Sequence, residues 1–293
     1  MSRIAFFSIP AHGHTNPTVE VVRTLAARGH RVRYYSFEEF RARLEGAGAE
    51  FVPCDSYLPP APRDVERRIG RDFASLIGMV VDVTAAMEER VLGELAAFRP
   101  HCIVADSLCI WGKLYAERLG IPLVCSTTTF AFDQVTARGM RPRPGELLRT
   151  LAGVPRIGKK LALLRAHGYR AEKLTDLIQN DSGTDTIVYT SRAFQPGGER
   201  FGERVAFVGP VLPELPAPAE RGNRSLIYVS LGTVMNRNAR FYRNCAEALG
   251  GGPWDVLMSV GSGEQAAALG ALSPNVRAEA RVEYHLRKKK AQV

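Results

Sequence analysis

Cysteine is scarce in this chain and forms no pattern. Its five residues, at positions 54, 102, 109, 125 and 245 of 293, contain no C-x-x-C pair and no metal-ligand spacing. That excludes a disulfide scaffold and a thiolate metal centre. Cys102, Cys109 and Cys125 lie in or beside apolar strand-like runs, where cysteine behaves as a small hydrophobe, and the usage fits a reducing cytoplasm. Long apolar runs are missing as well. The best membrane candidate, residues 76–87, is broken by Asp82 well short of the about 20 residues a span requires. The opening IAFFSIPA is too short for a signal peptide's apolar region and leads into no small-residue cleavage pattern, so a cytoplasmic protein is expected. The first turn lacks G-x-G-x-x-G, and neither G-x-x-x-x-G-K-[ST] nor G-x-S-x-G occurs. Dinucleotide, P-loop and nucleophile-elbow chemistries therefore have little support.

What is present is ordinary globular composition with a basic bias. The chain is 45% hydrophobic and 24% charged, with a formal net charge of +9. Such a balance favours acidic partners: phosphates, nucleic acid or anionic lipid. The charge is uneven, with ten Arg or Lys residues in 138–173 against Glu146 and Glu172, and a final cluster of Arg287, Lys288, Lys289 and Lys290. Runs of this kind are most often solvated helix faces. We read no nucleic-acid site in them, and at most a peripheral contact with an anionic membrane surface.

Hydrophobic periodicity alternates between two kinds. Strand-like runs occur at 3–9, 31–37, 50–54, 102–106, 122–126, 185–190 and 204–209. Between them lie helical patterns. Asn16 is a good N-cap with Pro17 at the first helical position, and that helix should end at Gly29. Phe73, Leu76, Ile77, Val80, Thr84, Met87, Val91, Leu95 and Phe98 form one apolar stripe on a long helix. Strands that are almost wholly apolar, alternating with helices, predict an α/β domain with a doubly wound parallel sheet over residues 1–209. A Pro-rich linker, 210–224, follows. The pattern then restarts over 225–293, with strands at 225–233 and 254–261 and helices at 238–249 and 264–272. This second unit is too short for a full doubly wound sheet.

In an open α/β sheet, ligands bind beyond the carboxyl ends of the strands, beside the switch point. The first strand ends at Pro10, so the turn AHGH lies at that edge, and the fourth ends at Asp106. An imidazole and a carboxylate on neighbouring strand ends can form a dyad in which the carboxylate fixes the tautomer and stabilises the imidazolium. The alternative stays open at this point: the histidine caps backbone groups in its turn, and Asp106 caps the helix that follows it.

AHGHTNP, ARGHRVRYYS, PHCIVADSLCIWGKLYAERLGIPLVCSTTT, VYTSRAFQP, VAFVGP and SLIYVSLGT together resemble the GT-B nucleotide-sugar glycosyltransferases, most closely the macrolide glycosyltransferase-like branch of the UDP-glycosyltransferases. The match runs in order to about Val276. It implies a GT-B fold, with an acceptor-binding domain over 1–209 and a donor-binding domain in 225–293. It also implies inverting transfer of a sugar from a UDP-sugar to a hydroxyl of a small hydrophobic acceptor such as a macrolide or flavonoid. In that family the histidine of G-H-x-x-P, here His14, is the general base, and Asp106 matches its orienting aspartate. His12 has no such counterpart and reads as local structure or as a wall of the acceptor cleft. Ser230, Gly232 and Thr233 match the loop near the donor diphosphate, and Gly261 and Ser262 are placed near the nucleotide. An ordinary strand-to-helix turn is the plain alternative for the loop of Ser230 to Thr233. The UDP-sugar is a co-substrate; no cofactor and no metal are implied.

The chain departs from the family after residue 276. The W-x-P-Q segment, the T-H-x-G-x-x-S loop and the D-Q pair are absent; residues 277–293 read as unrelated basic sequence. Three readings follow: a glycosyltransferase truncated in its donor half, a chain that works with a separate donor-half partner, or a non-enzymatic small-molecule binder. The unfinished second domain is expected to recruit another chain, giving oligomers. Acceptor choice is expected in segments near 54–70 and 130–180.

Overall fold

Alternation within the first strand sets the architecture. In β1 (Arg3–Phe7), Ile4 and Phe6 face one side of the sheet, Ala5 and Phe7 the other, and all four are buried. A strand that is apolar on both faces must be covered on both. The computed structural model describes residues 1–57, 73–132, 144–172, 177, 183–211, 224–233 and 236–282, apart from the side chains of 73–76 and 144–152. Much of the expected acceptor segments, most of the linker and the final basic cluster lie outside the described residues, as do the side chains of Phe73 and Leu76.

The chain divides into two units, Met1–Pro213 and Glu214–Val293. In the first, β1 is followed by α1 (His12–Ala27), β2 (Arg31–Ser36), α2 (Arg41–Glu45), β3 (Glu50–Pro53), α3 (Phe73–Phe98), β4 (Cys102–Asp106), α4 (Ile110–Leu119), β5 (Leu123–Thr127), α5 (Pro144–Ala166), β6 (Asp185–Val188) and β7 (Val205–Phe207). The seven strands form one sheet in the order β3-β2-β1-β4-β5-β6-β7, and every pairing is parallel. Val19 and Val22 of α1 and Leu44 of α2 cover one face. Apolar residues of α3, α4 and α5 cover the other, among them Met87, Val91, Leu114 and Leu161. The stripe on α3 is buried from Ile77 to Phe98. In-register pairing also stacks Phe6 on Tyr34 and Phe7 on Tyr35, with ring centroids 5.3 and 4.5 Å apart. Each such pair contributes about 0.5–1.5 kcal/mol beyond its buried area.

One helix start differs from the expectation. The first backbone turn of α1 closes on the Ala11 carbonyl, which accepts from His14 and Thr15 N–H at 2.9 and 3.0 Å, so the helix begins at His12. Asn16 is no cap; its side chain accepts from Arg43 instead. Pro17 lies inside the helix, where it offers no N–H to the Gly13 carbonyl. The helix stops as expected: the His30 N–H reaches back 3.0 Å to the Leu25 carbonyl over Gly29, whose φ of 80° suits glycine.

The second unit holds β8 (Ser225–Ser230), α6 (Ala239–Leu249), β9 (Trp254–Ser259), α7 (Gly263–Ala267) and β10 (Val276–Glu279). They form a parallel sheet ordered β10-β9-β8 around Tyr242, Val256, Met258 and Val276. Asn238 caps α6 by accepting from the Phe241 N–H at 3.0 Å. The tail needs correction at its start. Arg277 to Glu279 continue a strand registered against Leu257 to Ser259, because Val276 and Ala278 alternate onto the core. The last helix is shorter than the expected 264–272, ending at Ala267. On β8, Leu226 and Tyr228 share one face and stay 53% and 41% exposed. Among the described residues, β8 has a strand neighbour on its β9 side only.

Candidate active site

The strand order reverses between β1 and β4, which lie side by side with Phe7 opposite Ala105. One residue past that pair, β4 ends at Asp106, while the chain after β1 turns into α1. The first turn of that helix carries His14 over the same carboxyl edge. His14 Nδ1 lies 2.8 Å from Asp106 Oδ2. The structure thus brings Asp106 together with the histidine of the AHGH turn that the family resemblance had singled out.

Asp106 is almost sealed from solvent, its side chain 1% exposed, whereas His14 keeps 14%. A buried carboxylate needs donors. Asp106 Oδ1 accepts the Leu108 N–H at 2.9 Å, so the carboxylate caps the following turn with one oxygen and holds the histidine with the other. The helix-cap role weighed for it is not filled, because α4 begins at Ile110 behind Cys109 with no side-chain cap, and Asp106 braces the turn before it instead. An ionised Oδ2 accepts from Nδ1–H, which leaves Nε2 with the lone pair and makes it the ring atom able to take a proton.

Thr128 completes the cluster, and sequence reasoning missed it. Its Oγ1 lies 2.9 Å from His14 Nδ1 and donates to Asp106 Oδ2 at 3.5 Å. A signal existed: β5 pairs with β4 with Ser126 opposite Asp106, so the residues just past β5 must lie beside the carboxylate. Below the site, Thr18 Oγ1 donates to the Thr15 carbonyl at 2.8 Å and lies 2.8 Å from the Tyr34 hydroxyl. Burial pushes the Tyr34 hydroxyl far above its ordinary pKa despite those bonds, so it remains a neutral partner. Gly112 of α4 permits a close approach to the same strand ends, since a Cβ there would fall 2.8 Å from Phe7 Cβ and 2.9 Å from Ala105 Cβ.

His12 points to other work. Its Nε2 lies 3.5 Å from Glu39 Oε2, and its ring meets Phe40 edge-on with centroids 5.0 Å apart. Both partners belong to the turn after β2, so His12 ties that turn to the start of α1.

The remaining expected site residues all lie at one edge of the second unit. Ser230 ends β8, and its Oγ accepts the Gly232 N–H at 3.2 Å. Gly232 has φ 82°, and Thr233 is exposed. Gly261, φ 93°, follows β9, and Ser262 is the N-cap of α7, its Oγ accepting from Gln265 N–H at 3.2 Å. Asn236, which the sequence did not single out, joins the two loops. Its Nδ2 donates to the Gly232 carbonyl at 3.1 Å, and a Cβ on Gly261 would come within 2.4 Å of it. Among the described residues, no cluster of three or more His, Cys, Asp or Glu could hold a metal ion, and no helix is long and apolar enough to cross a membrane.

No protein-family model matches the chain. Among curated proteins it is 33% identical over 288 residues to a demethyllactenocin mycarosyltransferase of Streptomyces fradiae, an alignment covering 94% of this chain and 62% of that protein. The chain spans just under two thirds of the length of curated relatives such as this one. Among solved structures, a calicheamicin glycosyltransferase is 30% identical with a TM-score of 0.69, over 97% of this chain and 71% of that one. The glycosyltransferase of kitacinnamycin superposes with a TM-score of 0.76 at 26% identity, over 96% of this chain and 71% of that one.

Proposed function

The chain belongs to the GT-B nucleotide-sugar glycosyltransferases of the macrolide type, and from that premise we propose that it serves inverting sugar transfer to a hydroxyl of a small hydrophobic acceptor, a macrolide or flavonoid. His14 Nε2 takes the acceptor's hydroxyl proton. The oxygen so freed attacks the anomeric carbon of a UDP-sugar from the face opposite the nucleotide, and UDP leaves with the glycosidic electron pair. Asp106, held against Nδ1, keeps the reactive tautomer and balances the imidazolium that forms. Residues 1–209 carry the acceptor side in this reading. The loop of Ser230, Gly232 and Thr233, with Gly261 and Ser262, faces the donor diphosphate through backbone N–H groups.

The observation that carries the reading is the 2.8 Å contact between a partly exposed imidazole and a buried carboxylate at the switch point of the sheet. A second reading draws on β8, whose open edge and exposed Leu226 and Tyr228 favour a separate chain supplying further donor-side structure. Transfer from UDP-sugars to macrolide and flavonoid acceptors, followed by mass spectrometry with and without an added donor-domain half, tests both. Wherever turnover is found, His14→Ala should lower it by roughly 10²–10⁴-fold. Near-normal turnover of that variant at saturating substrates would end the assignment, and binding of acceptors with no turnover under any condition would favour a non-enzymatic binder.

A further inference from the structure

The opposite edge of the first unit, where the strands begin, holds a second concentration of chemistry. Arg3 and Arg31 are the paired first residues of β1 and β2, Arg33 follows two positions on, and Arg99 leaves the end of α3. These four arginines, with Ala97 and Phe98, line an open cavity of about 440 Å³. Among the described residues, one carboxylate is bonded to any of the four guanidiniums. Glu50 accepts from Arg31 and, through Oε2, from Arg33 Nη2 at 3.1 Å. Burial alone would raise the Glu50 carboxyl, but the bonds from the two arginines together hold it below the usual range, so it stays charged and spent on that pair. The Arg3 Nε donates to a neutral acceptor, the Arg99 carbonyl, at 2.8 Å. Among the described residues the Arg99 guanidinium has no carboxylate partner.

The guanidiniums are also held in place. Arg33 lies over the buried Phe98 ring at 4.2 Å from its centroid and Arg31 at 5.5 Å, so the ring backs both, while Glu50 holds Arg31 Nε and Arg33 Nε and Nη2. Arg99 is the sole non-glycine residue among those described with positive φ, at 50°. It occupies the left-handed position after a helix end that glycine normally takes, and it precedes Pro100. A side chain kept at a strained backbone position, beside unpaired positive charge, is an arrangement that stability alone does not select.

We propose that this cavity is an anion site for a phosphorylated ligand, with room for more than one phosphoryl group and recognition by the forked guanidiniums of Arg3, Arg31, Arg33 and Arg99. It lies at the far edge of the sheet from His14 and Asp106 and does not depend on the role proposed for them. The phosphate belongs to a free small molecule or to a lipid headgroup; the chemistry is shared.

Arg99→Gly is the informative variant, because glycine relieves the backbone while the guanidinium is lost. Calorimetric titration of the whole chain with inorganic pyrophosphate should show saturable binding that weakens with added salt. Arg99→Gly and Arg31→Ala should each weaken it on the order of tenfold, as expected for one charge-assisted contact, with no fall in the thermal midpoint for Arg99→Gly. Pyrophosphate can also reach the loop of Ser230 and Gly232, so the reading is the part of the binding lost with Arg99. Vesicles of phosphatidylglycerol with phosphatidylcholine form the second arm. Capture that is lost in Arg99→Gly assigns the phosphate to a lipid headgroup, and pyrophosphate binding without capture assigns it to a free molecule. Absence of both, or binding equal in the wild type and both variants, overturns the proposal.

Discussion

Replacing Asp106 by asparagine separates a positioning carboxylate from a merely structural one. Both oxygens of Asp106 are committed: Oδ1 accepts the Leu108 N–H at 2.9 Å, and Oδ2 meets His14 Nδ1 at 2.8 Å. An asparagine must keep its one carbonyl oxygen on the Leu108 N–H, since an amide NH2 there would set donor against donor. Its NH2 then faces His14 Nδ1 and donates to it. The imidazole proton is driven to Nε2, and the atom that should accept the acceptor's proton becomes a donor. Losing a charge-assisted hydrogen bond alone costs about 1.5–3 kcal/mol, at most about a hundredfold in rate. Reversal of the tautomer and loss of imidazolium stabilisation come on top, so turnover should fall by more than about 10²-fold and toward 10⁴-fold. Folding should change little, because the volume and the Leu108 bond are kept. Nitrogen-15 chemical shifts of the His14 ring read the tautomer without any substrate, and a transfer assay reads the rate. Turnover within about tenfold of the wild type, or an Nδ1–H tautomer that survives in Asp106→Asn, would refute the reasoning.

Two further substitutions test the surroundings of the dyad. Thr128→Val removes the hydroxyl 2.9 Å from His14 Nδ1 at nearly constant volume; a loss of about 0.5–1.5 kcal/mol, or roughly two- to tenfold in turnover, is expected, with Thr128→Ser restoring most of it. Gly112→Ala places a Cβ within 3 Å of the Phe7 and Ala105 Cβ atoms, neither of which can swing aside; chemical denaturation should show destabilisation of about 1–3 kcal/mol.

The first unit was legible because its signals are non-local only in a simple way. Strands that are apolar at every interior position, such as CIVAD and RIAFF, announce two covered faces, and a doubly wound sheet then dictates which strand ends meet. That geometry put the AHGH turn beside Asp106; the choice of His14 over His12 came from the resemblance of G-H-x-x-P. Thr128 did not, because a lone threonine after a strand carries no chemical signature; only the register that sets Ser126 beside Asp106 gives it a role. The start of α1 misled for a related reason. Asn16 and Pro17 have the local chemistry of a helix entry, but backbone closure on the Ala11 carbonyl one turn earlier outweighs it. Local propensity is a weak prior against a strand that must turn tightly over the sheet edge.

The second unit shows where such reasoning should be pressed further. In the first sheet, β1 has β2 on one side and β4 on the other, and the switch between those neighbours is what opens a site. The second sheet repeats the first side of that plan: β9 lies beside β8 as β2 lies beside β1, and β10 extends it outward as β3 does. The side of β8 that would answer to β4 carries no strand among the described residues, and Leu226 and Tyr228 are exposed on β8 itself. Yet Asn236 already joins the Gly232 carbonyl to the turn at Gly261, so the loops at the carboxyl edge are organised without that neighbour. In the donor-site reading proposed above, the backbone N–H groups at this edge are held by contacts within the second unit itself, and a diphosphate should be bound through them.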